Sequence, residues 1–142
     1  MKIRNLLLFL ISASFLGGCQ MKQGEMMVLL DEKVMEVIVS ESKGAGDINE
    51  EALLKIEDNE GIKAVESAIR TAVKSNSGGT SAAPDYDLVV SYGEDFPPHA
   101  IHVWLGEEGE QSRLSYMVGE GEIYTTTKKA ASELRDILPI KQ

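Results

Sequence analysis

Residues 85–125 read DYDLVVSYGEDFPPHAIHVWLGEEGEQSRLSYMVGEGEIYT, and this stretch decides the fold. Tyr86, Leu88, Val90 and Tyr92 alternate with Asp87, Val89 and Ser91. Alternation with a period of two puts the first set on one face of a strand and the second on the other. Gly93 to Pro98 turns the chain, after which Ile101, Val103 and Leu105 alternate with His102 and Trp104. Gly106 to Gln111 makes a second turn. Leu114, Tyr116 and Val118 then alternate with Arg113, Ser115 and Met117. Gly119 to Glu122 is a third turn, and Ile123 to Thr125 opens a fourth strand. Short connections between successive strands require antiparallel neighbours, so the stretch reads as a meander.

The flanks supply what an antiparallel sheet with one apolar face needs. Lys33 to Ser40 is rich in Val, Ile and Met and reads as a first strand, with Met35, Val37 and Val39 on one face. Met26 to Leu30 either extends that strand or forms a separate turn of helix. Leu53, Leu54 and Ile56 make an edge strand after the polar loop Glu41 to Glu51. Asp58 or Asn59 caps a helix whose apolar stripe is Ile62, Val65, Ile69, Ala72 and Val73. Ser75 to Pro84 is a loop. Thr126 or Thr127 caps a last helix with the stripe Ala131, Leu134, Ile137 and Leu138, ended by Pro139. The expected architecture is a two-layer α+β domain, an antiparallel meander sheet covered on one face by two amphipathic helices, in the order β-(β)-α-β-β-β-β-α.

The amino terminus carries an address. Lys2 and Arg4 precede the apolar run Leu6 to Leu16, and Gly17, Gly18 and Cys19 follow. A basic head, a short apolar stretch and small residues at the cut describe a secretory signal peptide; a membrane span needs about 20 apolar residues. Leu16-Gly17-Gly18-Cys19 resembles the lipobox of bacterial lipoproteins, and Cys19 is the single cysteine of the chain. That resemblance implies diacylglyceryl transfer to the Cys19 thiol, cleavage between Gly18 and Cys19, and a two-chain anchor. The expected organisation is a signal peptide over residues 1–18, a lipidated cysteine and tether over 19–30, with Gln20 to Glu25 as its polar part, and one α+β domain over 31–142. The expected place is the outer face of the plasma membrane, or an outer membrane where the organism has one.

The 142-residue chain has 14 basic and 23 acidic side chains and a formal charge of −9. An acidic body repels phosphate backbones, which argues against nucleic-acid partners, and is repelled by anionic lipid beside its anchor. One cysteine excludes an intramolecular disulfide.

The body resembles the YhfM-like lipoproteins of Bacillus-type bacteria. The stretches concerned are Ile38-Val39-Ser40 through Gly44 to Asn49, Ile62 to Ala68, Pro84-Asp85-Tyr86-Asp87-Leu88, His102-Val103-Trp104-Leu105-Gly106 and Ile123-Tyr124-Thr125. The resemblance implies a surface lipoprotein with a small α+β domain and transfers no catalytic residue.

Candidate chemistry is sparse. His99 and His102 form H-x-x-H, but residues three apart on a strand face opposite ways, so a metal site is not expected and both read as surface histidines. Asp85, Asp87 and His102 fall on the face opposite the core, where Asp87 and His102 meet across neighbouring strands. A carboxylate beside a histidine suits general-base work, and equally a plain cross-strand pair on a solvated face; the plain pair is the expectation, since Gly-x-Ser-x-Gly is absent. Trp104 shares their face and either marks a binding patch or packs away, under the loop Ser75 to Pro84 or, with the faces reversed, between sheet and helix. Glu107, Glu108, Glu110, Glu120 and Glu122 read as solvated turns without calcium-loop spacing. No cofactor is implied. The expected function is a non-catalytic binding or interaction module displayed on a lipid anchor, facing an envelope protein partner with Asp87, His102 and Trp104. The alternative is a small envelope hydrolase using Asp87 and His102, which requires those side chains to converge in a cleft. A purely structural envelope protein is the third reading.

Overall fold

The computed structural model of the chain describes residues 24–44, 46–76 and 79–139. The expected signal peptide, Cys19 and the expected tether as far as residue 23 lie outside the described residues. Among the described residues seven strands form one antiparallel sheet: β1 Glu36–Glu41, β2 Ala52–Ile56, β3 Val73–Lys74, β4 Tyr86–Ser91, β5 His99–Trp104, β6 Arg113–Tyr116 and β7 Tyr124–Thr125. Their spatial order is β2-β1-β4-β5-β6-β7-β3. The meander is the run β4 to β7, as the alternation requires. Helices α1 (Asn59–Arg70) and α2 (Lys128–Ile137) pack against each other. The fold is therefore α+β, with a multi-stranded antiparallel sheet and two helices against it.

α1 leaves β2 at one edge of the sheet and delivers the chain to β3 at the other, so it spans the sheet. Asp58 caps it by accepting from Gly61 N at 2.8 Å. A Cβ on Gly61 would stand 2.5 Å from Ile56 Cγ2, so the glycine is what lets the first turn approach β2. Ile62, Val65, Ala68 and Ile69 face the sheet. The expected stripe runs too far. The helix ends at Arg70, and Val73 lies in the short strand β3, where it is exposed. Thr127 caps α2, accepting from Ala130 N at 3.1 Å, and Ala130, Ala131 and Leu134 are buried. The core is closed on the sheet side by Val37, Val39, Leu88, Val90, Ile101, Val103 and Leu114. Burying such a set supplies most of the folding drive.

Three details differ from expectation. Met26–Leu30 neither extends β1 nor turns as a helix. Met26 bridges Val73 at the far edge, Met27 N donates to Ala72 O at 2.9 Å, and Met27 and Leu29 are core residues. Packing thus begins upstream of residue 31. β1 starts at Glu36 rather than Lys33, and Met35 is exposed. β6 stops at Tyr116, leaving Val118 in solvent, because the chain has already begun the glycine-rich turn.

The helices cover only one face. On the other, loop 79–84 folds over the sheet and is pinned by Trp104 Nε1, which donates to Ala82 O at 2.9 Å.

Candidate functional site

Strand register assembles the site. Ser40 of β1 opposes Asp87 of β4, Asp87 opposes His102 of β5, and His102 opposes Ser115 of β6. Directly opposed residues on antiparallel strands project to the same side, with Cβ atoms about 4.5–5.5 Å apart. Four polar side chains therefore form one row across four strands, on the face away from the helices. At 2%, 0%, 7% and 3% exposure, Ser40, Asp87, His102 and Ser115 are all buried. A bulge interrupts the β1–β2 ladder between Val39 and Ser40, at one end of the row.

His102 Nδ1 and Asp87 Oδ1 are 2.7 Å apart. A carboxylate only accepts, so Nδ1 donates and the Nε2 lone pair is left as the basic atom of the ring. Nε2 has no hydrogen-bond partner among the described residues. Asp87 Oδ2 is buried and likewise unpartnered among them. A buried acceptor without a partner costs about 1–3 kcal/mol.

His102 forms part of the wall of a cleft of about 470 Å³, together with Trp104, Ser115, Pro84, Gly119 and Gly121. The Trp104 and His102 rings meet edge to face, with centroids 6.1 Å apart. Of the two readings of Trp104, its position matches packing under the loop, and it still lines the cleft. Among the described residues this lining includes no Asp, Glu, Lys or Arg, although a quarter of the whole chain is charged.

The other sequence candidates are elsewhere. Asp85 precedes β4 and accepts from Leu105 N at 2.9 Å, so it holds the end of β5 and is not part of the pair. It lines a separate cavity of about 500 Å³ with Leu105 and Arg135. Arg135 donates to Leu105 O at 3.0 Å and Glu110 O at 2.7 Å, which fastens the β5–β6 turn to α2. His99 faces the core side, where its Nδ1 is 2.8 Å from Tyr92 Oη, and burial holds its pKa below the ordinary value of 6.5. Neither histidine is the surface residue expected, and the two occupy opposite faces of β5.

Two expectations are corrected by this geometry. The Asp87–His102 pair does not sit on a solvated face; it is buried and hydrogen-bonded, and its histidine lines a cleft. Such a pair is consistent with a catalytic dyad, and it overturns both the purely non-catalytic module and the plain reading that the chain is no enzyme. The sequence reading also passed over Ser115. Its signal was present: the turn between β5 and β6 fixes the hairpin register, and that register puts Ser115 opposite His102. Ser40 carried no such signal, because β1 meets β4 only through long-range pairing.

Comparison with known proteins adds the family. Residues 31–142 match the YhfM protein family. No curated protein and no solved structure matches the chain. The chain belongs to the YhfM family.

Proposed function

We propose that this chain is a small hydrolase of the bacterial envelope, with His102 as general base and Asp87 as the group that orients it. The observation that carries the reading is the 2.7 Å bond between two buried side chains, one of which presents its free ring nitrogen at a cleft. Asp87 fixes the imidazole tautomer, so Nε2 is available to take a proton from a hydroxyl or water bound in the cleft. Later it returns that proton to the leaving group. A positioned base of this kind contributes about 10²–10⁴-fold to rate.

The place of action rests on the lipobox-like Leu16-Gly17-Gly18-Cys19. Acylation of Cys19 would hold the domain on the outer face of the membrane, as two chains give a stable anchor. In its native host the protein should partition into detergent, and Cys19→Ala should abolish this; identical partitioning of the two would remove the anchor from the proposal.

The activity is tested by incubating the purified domain with a panel of chromogenic carboxylic esters. Hydrolysis is expected for neutral short-chain members and should fall about 10²-fold or more in His102→Gln. A His102→Gln protein that keeps its circular dichroism and its full turnover would overturn the assignment.

A further inference from the structure

The dyad leaves open what it deprotonates, and the register row supplies a candidate. We infer that Ser115 is a nucleophile and that the reaction is acyl transfer from an uncharged carboxylic ester through an acyl-Ser115 intermediate. This rests on the hydrolase reading of Asp87 and His102 and goes beyond it.

Three adjacent strands present Asp87, His102 and Ser115 in that order, side by side on one face. A nucleophile–base–orienter arrangement needs the base between the other two, which is the order the sheet imposes. His102 turns Nδ1 toward Asp87 on one side, and the serine lies across the opposite strand pairing. Both His102 and Ser115 line the same cleft, so a bound molecule there meets both. In the free protein the Ser115 hydroxyl lies 3.3 Å from the Tyr116 carbonyl oxygen, a long bond that a change of χ1 rotamer releases. Contacts between nucleophile and base are commonly loose before substrate binds and tighten in the complex.

The step balances as follows. Ser115 Oγ attacks the ester carbonyl carbon while its proton passes to His102 Nε2. The tetrahedral adduct collapses, the C–O bond to the alcohol breaks, and the alkoxide leaves with the proton held by His102. Water then attacks the acyl-serine, giving its proton to Nε2, and collapse releases the carboxylic acid and restores the Ser115 hydroxyl. No oxidant, reductant or metal enters.

The cleft also selects the substrate. With no Asp, Glu, Lys or Arg in its lining among the described residues, it offers no side-chain counter-ion to a charged acyl group. Trp104 and Pro84 offer apolar contact. The acyl portion is therefore uncharged, and a volume of about 470 Å³ admits a small one.

The test is labelling with an uncharged alkyl fluorophosphonate, followed by peptide mass spectrometry, beside ester turnover in Ser115→Ala, Ser115→Thr and His102→Gln. Support is a label on Ser115 in the wild type that falls about 10²-fold or more in His102→Gln, together with a loss of turnover in Ser115→Ala. A label on any other residue, or no label on an active wild type, overturns the inference. Full turnover in a folded Ser115→Ala with loss in His102→Gln also overturns it, and leaves His102 as a base acting on water. Turnover unchanged in both removes the hydrolase reading as well. Labelling the wild type needs no substitution, so it decides the matter even if a variant fails to fold.

Discussion

The two faces of the sheet come from the same strands and follow opposite rules. On the helix-covered face β4 presents Tyr86, Leu88 and Val90, and β5 presents Ile101 and Val103, all buried and apolar apart from the tyrosine hydroxyl. One residue along each strand, the other face presents Asp87 and His102, equally buried but polar. Burial alone therefore does not make a core. The helical face gains free energy for each methylene removed from water. The polar row must give up hydration, and it regains that only through the bonds it makes. Asp87 and His102 share a bond of 2.7 Å, and the second carboxylate oxygen of Asp87 is left without a partner among the described residues. The first face is arranged for stability. The second is arranged for something that tolerates a deficit.

The contrast predicts the largest stability effect on the helical side. Leu88→Ala removes a fully buried side chain and should cost about 2–5 kcal/mol by urea unfolding, since the surrounding layers relax only partly. On the polar side the response should depend on whether one partner or both are removed. Asp87→Ala alone leaves the imidazole buried without its acceptor and should cost about 1–3 kcal/mol. The double variant Asp87→Leu, His102→Leu replaces both by apolar groups and should recover most of that loss, or exceed the wild type, as buried polar pairs often do when replaced together. It should have no ester turnover. A double variant as unstable as Leu88→Ala would erase the contrast, because the polar row would then be a core in its own right.

How far the contrast could be read from sequence depends on the range of the pairing involved. Alternation in residues 85–125 fixes both faces of β4 to β6, since each strand's pattern is local and each turn is short. The capping residues Asp58 and Thr127 are local signals too, and both do the work their chemistry suggests. Three features could not be read in this way. β3 has two residues and takes its strand character from remote partners, β7 about fifty positions later on one side and Met26 on the other. Met26 joins that same remote edge, and the segment then runs inward, with Val28 N donating to Tyr116 Oη of β6 at 2.7 Å. Loop 79–84 folds over the face that carries Asp87 and His102 and walls the cleft at His102, and a loop's composition does not say where it lies. The expectation of a solvated pair failed there: the alternation was right, and the cover was invisible.

That cover gives the next, smaller effect. Trp104→Phe keeps the ring and removes the donor to Ala82 O, so it should cost about 0.5–1.5 kcal/mol. The loop should loosen over the cleft, and amide exchange at residues 79–83 should quicken by up to about tenfold. Faster exchange there with unchanged exchange in the meander sharpens the contrast, showing that the polar face is closed by a detachable element. No change in the loop would mean that something other than Trp104 holds it down.

The helical face has a titratable group of its own, and it makes that face sensitive to acid. Burial depresses the pKa of His99, so in the window below 6.5 the unfolded chain binds the proton first. Stability contributed by the neutral ring is complete above that value and is lost as the pH falls through the window. His99→Gln, which keeps a polar group near Tyr92, should flatten the melting temperature over the same range. If the slope survives in His99→Gln, the acid sensitivity belongs to another group, and the helical face is no wetter at His99 than at Leu88.

The smallest effect is expected where neither face rules, at the β3 edge. Lys74 hydrogen-bonds Glu122 and lies 3.4 Å from Glu25. These bonds raise the Lys74 pKa and lower that of Glu122, so the pair's contribution is present above the ordinary carboxylate value of 4.5 and fades as the pH falls through the depressed one. Both side chains are solvent-accessible, so salt screens them over about 8–10 Å and most of the attraction is offset by lost side-chain freedom. Glu122→Gln should therefore shift the melting temperature barely beyond error in dilute buffer and not at all in 1 M salt. Set beside Asp87→Ala measured at the same two ionic strengths, it makes a direct probe of shielding. The loss in Asp87→Ala should be indifferent to salt, because ions cannot approach a carboxylate of zero exposure. If salt changes both variants alike, water and ions reach the row freely, and His102 would have to work in a solvated groove rather than in a closed cleft.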